Sequence, residues 1–554
     1  MKVAVGLSLA SILVFAGTAC LGAAPPDGQQ SSPAAGQPKR GGIFHIPQVQ
    51  PNPDLNPHAT GRGGTMAPLM NTMYEGLVAR DAQPHVSWHG DPKLKPWLAE
   101  RWERPDENTY LFQLRTDVKW HDGRPFTADD VVHSIEYLKE RPNLIESGRV
   151  ANMKSVEVLD SHRIRIVTRQ PNPDFLVNDV IEVSMTPRHL AAEGKQLETL
   201  AVGTGPFKFK QLDKTAGWRV ARNEDYWVKD PSGSGQGLPY LDGVAGHYLT
   251  DRGTMTAAMA AGNLDAMTVA DKALVEAALA AKGDLLYDKV YYHRGLSILF
   301  AMDRPPFDDI RVRRAINLAI DRQDMVVKGA LGDGVINPPF ISGWAKAAIP
   351  QEELVKLPGY NPATRERDVA QAKQLLAEAG VRSLSAKLSF PGANTNETPA
   401  ATVAAAQLKE LLGIEIVLQP LDTATFNKVQ VDGTWEMRTA TVGRGRSSLQ
   451  EALHSKGKLN KRGPFDSELD ALVDKYLAEF DDAQADRLYQ EIQRLLYDKA
   501  YVVGTISRAL FTVYQPWLHD MLDNFGGQIV LWYTPPALWI DVDMLPAHRR
   551  AEKP

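Results

Sequence analysis

Apolar positions recur along this chain with two periods, near two and near 3.6 residues, and each change of period marks an element. A two-residue period runs through TYLFQLR, where Phe112 and Leu114 lie opposite Leu111, Gln113 and Arg115. It runs again through HRIRIVTR, by way of Ile164 and Ile166. Both read as half-buried strands. The segment GGIFHIPQVQPNPDLNPHAT opens the body as a short strand and a Pro/Asn-rich loop, and Leu69, Met73 and Leu77 predict a helix over 66–77. Between the two alternating segments Thr127 precedes ADDVVHSIEYLKE, and Thr127 with Asp130 forms a capping-box variant. Further on, Val369, Ala372, Leu375, Leu376 and Ala379 make an apolar stripe that Gly380 closes. ATVAAAQLKELLGIEIVLQPLD predicts a helix ended by Gly413 and then a strand over 414–418. Two amphipathic helices follow, over 467–480 and 484–497. Such helix-then-strand alternation favours an α/β arrangement with parallel or mixed pairing. No short-period repeat points to a solenoid or propeller.

At 554 residues the chain exceeds one ordinary core, so two or three lobes are expected. With 62 basic against 67 acidic side chains the formal net charge is −5, and no basic stripe interleaved with aromatics occurs. Nucleic acid is set aside as a partner on that ground.

The single cysteine, Cys20, excludes an intramolecular disulfide and any zinc site with two thiolates. Its position matters more. Lys2 is followed by an apolar run from Val3 to Ala16, too short to span a bilayer and of signal-peptide length. Gly17-Thr18-Ala19-Cys20 then resembles the bacterial lipobox, with Gly17 where Leu is usual. Lipidation at Cys20 is the favoured reading; the alternative is an ordinary secretory cleavage that leaves the cysteine incidental. Residues 1–20 thus read as a lipoprotein signal peptide. The Pro/Gly/Gln/Ser-rich stretch 21–40 reads as a disordered tether.

Six motif segments, in order, resemble one family. Residues 95–140, KPWLAERWERPDENTYLFQLRTDVKWHDGRPFTADDVVHSIEYLKE, are the longest. GTGPFKF (203–209), NEDYW (223–227), AGNLDA (261–266), PPFDDIRVRRAINLAIDR (305–322) and YNPATRERDVAQAKQLLAEAG (360–380) complete the set. Together they are similar to the extracellular solute-binding proteins of family 5, the binding proteins of peptide and nickel ABC importers.

The residues themselves favour a scaffold over catalysis. His121 and Asp122 are adjacent on a turn, a poor geometry for a catalytic pair. Gly203-Thr204-Gly205-Pro206 lacks the Gly-Lys-Ser/Thr ending of a phosphate loop, and Pro206 has no N–H. Arg311, Arg313 and Arg314, among Asp308, Asp309 and Asp321, read as a local ion-pair network at a helix start. No HExxH, GxSxG or CxxC occurs, so no enzyme is expected.

The resemblance implies an α/β periplasmic-binding-protein fold of type II, in the large cluster with an extra domain. Three lobes follow, two of them closing on a cleft by a hinge. Domain I is placed at 41–74, 203–296 and 515–554, domain II at 75–202, and domain III at 297–514. No cofactor is implied. The expected partners are a peptide or other small organic solute and the membrane permease, with a monomeric receptor held outside the membrane by its lipid. A sensor or adaptor of the same fold, and nickel or metal-chelate binding, remain as alternatives.

In peptide-binding members an Asp in domain III meets the peptide amine, with a Trp shortly before it. The comparable stretch here is 433–449, where Val442 replaces the Trp and Gly445, with Arg444 and Arg446 on either side, replaces the Asp. Guanidinium groups there suit an anionic solute group rather than an ammonium. The alternative is that both arginines are solvated. His58 and Arg62 on the domain I loop, with Trp344 and Trp435, complete the cleft candidates. No histidine pair shows metal-ligand spacing.

Overall fold

The computed structural model describes residues 37–48, 54–60, 66–80, 94–230, 235, 237–291, 296–341, 346–392, 397–440, 446–520 and 537–553. Its strands fall into several sheets with helices packed against them, an α/β architecture.

Alternation builds the first lobe directly. Thr109–Leu114 turns Tyr110, Phe112 and Leu114 inward, and it pairs antiparallel with Ala99–Glu103 on one side and Arg163–Thr168 on the other. Met153–Asp160 completes the four-stranded sheet. Helix Ala128–Lys139 covers it with Val131, Ile135 and Leu138, each such burial contributing about 2 kcal/mol. The predicted capping box is present: Thr127 N–H donates to Asp130 at 2.9 Å.

A second lobe is built on a five-stranded sheet. Its order runs Ile414–Leu421, Leu384–Pro391, Met437–Ala440, Ser297–Phe300 and Val502–Gly504, the first three parallel and the last two antiparallel to their neighbours. Ile298 and Phe300 face the core of helices Ile310–Ala319, Arg365–Glu378 and Thr398–Leu412. Leu299 faces the opposite core, with Arg446–Leu453, Ser467–Ala478 and Asp482–Asp498. The turn from helix to strand at Gly413 takes φ +68°, a left-handed conformation that glycine adopts without strain.

The remaining lobe holds two sheets. In one, Ile43–Gln48 lies parallel to Gly243–Tyr248, followed by Gly217–Arg222 and Phe207–Asp213. In the other, Ile506–Tyr514 sits between Ala266–Val269 and Leu286–Tyr291. The C-terminal segment closes this lobe: buried Arg549 pairs with Asp265 at 2.9 Å and donates to the Ile43 carbonyl at 2.7 Å.

Two antiparallel chain segments join this lobe to the five-stranded one. Leu286–Tyr291 leads to Ser297–Phe300, and Val502–Gly504 leads back to Ile506–Tyr514. The strand Ile506–Tyr514 therefore pairs within the sheet of 266–291. Beside this crossover Asp333 bridges Lys272 at 2.9 Å and Lys289 at 3.0 Å.

Two expectations change in detail. The helix expected over 66–77 is Ala67–Met73, because the chain turns extended at Tyr74 and the Met73 carbonyl accepts from Gly205 N–H instead. The arginine cluster is only partly ionic. Arg311 pairs with Asp309, but Arg313 donates to the carbonyls of Phe307, Asp308, Lys499 and Ala500, and Arg314 to that of Asp498. These guanidinium groups tie a helix start to a distant helix end, where orphan carbonyls are available.

Candidate ligand cleft and the junction that carries it

The sequence motifs converge on one buried carboxyl group. Glu75 accepts from Thr204 Oγ1 at 2.7 Å, Tyr226 OH at 2.7 Å, Trp97 Nε1 at 2.8 Å and Trp227 Nε1 at 3.2 Å. Those donors come from KPW, GTGP and NEDYW, three segments far apart in sequence. Burial pushes the Glu75 carboxyl above its usual range, against the pull of the four donors. Arg115 stacks over Trp227, 4.6 Å from the ring centre.

The GTGP loop is glycine-rich for a steric reason. A Cβ on Gly203 would lie 1.8 Å from the Met73 carbonyl oxygen, and one on Gly205 2.7 Å from that of Thr72. Gly205 N–H donates to Met73, and Gly203 N–H donates to His121 Nδ1 at 3.1 Å. These donors are occupied by protein, which removes the phosphate-loop reading. The same contact sets the His121 tautomer. Nδ1 accepts, so Nε2 carries the proton and donates to the Gly205 carbonyl at 3.0 Å. Burial holds this imidazole neutral, its pKa down to about 4. Asp122 pairs with His189 at 2.6 Å rather than with His121.

His58 extends the same junction. It is fully buried, with Nδ1 2.7 Å from Glu146 and Nε2 3.3 Å from Thr186 Oγ1. Glu146 also accepts from the Ser184 N–H and hydroxyl. The helix 57–60 is thereby pinned to residues 146 and 186.

On the five-stranded lobe, the carboxyl ends of the parallel strands Leu384–Pro391 and Met437–Ala440 are where open α/β sheets take ligands. The chain there runs on to Arg446. Its guanidinium lies 3.2 Å from Asp174, donates to the Tyr476 carbonyl at 2.9 Å and to that of Glu479, and stacks over Tyr476. Trp435 is buried beneath Arg438, whose guanidinium lies 5.0 Å from the ring centre. Arg438 donates to Gln430 at 3.1 Å, and burial lowers its pKa to about 10. Cys20, Arg62, Trp344 and Arg444 lie outside the described residues. Among the described residues, no group of three or more His, Cys, Asp or Glu is placed to hold a metal.

The family of bacterial extracellular solute-binding proteins, family 5 Middle, matches residues 93–457. The chain belongs to this family.

As a family 5 solute-binding protein it is a binder of solutes, not an enzyme. The periplasmic oligopeptide-binding protein OppA of Salmonella typhimurium is 25% identical over 514 residues, covering 85% of this chain and 89% of that one. The glutathione-binding protein GsiB of the same organism is 28% identical over 345 residues, 57% of this chain and 64% of that one. The oligopeptide-binding protein AppA of Bacillus subtilis, solved with a nonapeptide, superposes with a TM-score of 0.70 at 20% identity, over 91% of this chain and all of the other. NikA of Brucella suis, solved with Fe(III)-EDTA, gives 0.73 at 22% identity over 91% of this chain. The type II fold is thus shared by proteins with very different ligands. The matching region of the family includes Asp174 and Arg446, which no motif marks, and Glu75 lies just before it. No helix among the described residues is long and apolar enough to cross a membrane.

Proposed function

We propose that this chain is the receptor of an ABC importer that captures a peptide or related small organic solute bearing an acidic group. The observation that carries the reading is the paired crossover, 286–291 against 509–514 and 297–299 against 502–504, between two lobes of a family of extracellular solute binders. Two short antiparallel segments can flex while each sheet stays intact. A solute that touches both lobes shifts the ensemble toward the closed form, which is delivered to the permease.

The acidic preference rests on the segment 433–449, where Gly445 stands at the position of the amine-binding Asp of peptide-binding members and Arg444 flanks it. Arg446 already has a carboxylate and two carbonyls as partners, so Arg444 takes the solute-contacting role, with Arg62 and Trp344 as further contacts. Export, lipidation at Cys20 and a monomeric receptor on a 21–40 tether complete the proposal.

Mass spectrometry of small molecules released by denaturing the purified protein tests it. The expected result is an acidic, peptide-like compound in stoichiometric amount. A mixture of neutral or basic peptides would contradict the acidic preference while leaving the receptor standing. Hydrolysis of the bound compound by the protein would contradict the receptor itself.

A further inference from the structure

Contacts between the five-stranded lobe and the rest of the molecule are not confined to the crossover. Asp174, on domain II, accepts from the Arg446 backbone N–H at 2.8 Å through Oδ2, while its Oδ1 lies 3.2 Å from Arg446 Nε. Next to Glu479 in the chain, the ring of Phe480 lies 4.0 Å beneath the guanidinium of Arg104 of domain II. Both contacts meet one corner of the five-stranded lobe, formed by the start of helix Arg446–Leu453 and the end of helix Ser467–Ala478.

Each partner is set in place by its own lobe. Tyr476 and Glu479 hold the guanidinium through carbonyls at a helix C-terminus, a favourable position for a cation. Asn172 Oδ1 accepts from Asp174 N–H at 3.0 Å, and Asn178 Nδ2 donates to the Asp174 carboxylate at 2.8 Å. Parting the lobes would release one ion pair and one N–H while leaving both ends organised. Side-chain exposures of 11% and 17% keep the pair near solvent, so neither charge would be stranded. Those are the properties of a reversible contact.

We propose that Asp174 and Arg446 form a clasp, through which domain II holds the cleft shut. Arg446 directly follows residues 441–445, the segment proposed to meet the solute. The consequence for solute affinity rests on the receptor reading above, but the clasp itself can be tested without any solute.

The test uses the full chain with Cys20→Ser, carrying spin labels on cysteines placed at exposed Ile145 of domain II and exposed Phe465 of the other lobe. Distance distributions are measured for this protein, for Asp174→Asn and for Arg446→Met, each first shown to keep its melting temperature. Asp174→Asn retains an acceptor for the Arg446 N–H while it removes the charge and puts a neutral NH2 where a carboxylate oxygen faced Arg446 Nε. The clasp predicts a short-distance population in the parent that falls about tenfold relative to the open form in either variant, equivalent to about 1.4 kcal/mol. The double variant should fall no further. Identical distributions in all proteins would overturn the proposal. So would a change in Arg446→Met alone, since that would reflect damage to the Tyr476–Glu479 helix end. Because no solute enters the measurement, its failure is separate from failure of the acidic-solute reading.

Discussion

The junction at Glu75 and the corner at Asp174 and Arg446 both join parts of the molecule through a carboxylate, yet they are built in opposite ways. Glu75 is buried among four neutral donors from three motif segments, with glycines shaped to admit the backbone. Nothing there can be withdrawn without stranding a buried polar group. Asp174 meets one arginine near solvent, and each side is supported from within its own lobe. The first contact suits a joint that stays made, the second a joint that opens. Three of the motif segments, KPW, GTGP and NEDYW, therefore build the joint at Glu75, whereas Asp174 and Arg446 lie outside all six.

The largest effect should come from the junction. Glu75→Ala leaves Thr204, Tyr226 and both indole N–H groups without their acceptor, and calorimetry should show a loss of about 3 kcal/mol or more. A loss under about 1 kcal/mol would remove the contrast between the two regions. His121→Ala comes next, at about 2 kcal/mol, because the Gly203 N–H and Gly205 carbonyl both lose their partner.

Acid and base should act on the two regions with opposite sign. His121 has its pKa lowered from 6.5 to about 4 by burial, so the unfolded chain binds its proton first. Its contribution to stability is present above pH 6.5 and is lost as pH falls from there toward 4. Asp179, beside the clasp, is raised from 3.8 to about 7 by burial, with Asp174 adding to the rise and Arg149 and Asn172 opposing it. Here the folded state holds the proton longer, so stability falls as pH rises from about 4 to 7. Over pH 4–7 the two contributions oppose each other, so the melting temperature should rise less steeply with pH in His121→Gln and more steeply in Asp179→Asn than in the parent. The smallest effect on global stability belongs to Asp174→Asn, at about 1 kcal/mol, because Arg446 keeps the Tyr476 and Glu479 carbonyls as partners.

How far the sequence discloses these regions follows from the range of each interaction. Phe112 and Leu114 alternate, Thr127 reaches Asp130 three residues on, and Gly413 ends its helix, so local rules suffice for each. The predicted helix over 66–77 runs too long because its true end depends on Gly205, more than a hundred residues away. Glu75 carries no local mark; its importance exists only once Trp97, Thr204, Tyr226 and Trp227 have been folded around it. Asp174 and Arg446 lie 272 residues apart. The sequence shows an arginine at 446, and only the fold shows that Asp174 supplies its carboxylate. His58 likewise reads as a cleft residue by position, whereas its ring is enclosed between Glu146 and Thr186.

Hydrogen exchange with and without the co-purifying solute compares the two regions in one measurement. The account predicts that solute raises protection in helix Arg446–Leu453 and along the crossover at 286–300 and 502–514, while 73–75, 203–206 and 223–227 exchange equally slowly in both states. Solute-dependent protection concentrated at 203–206 and 223–227, with none at 446–453, would contradict it.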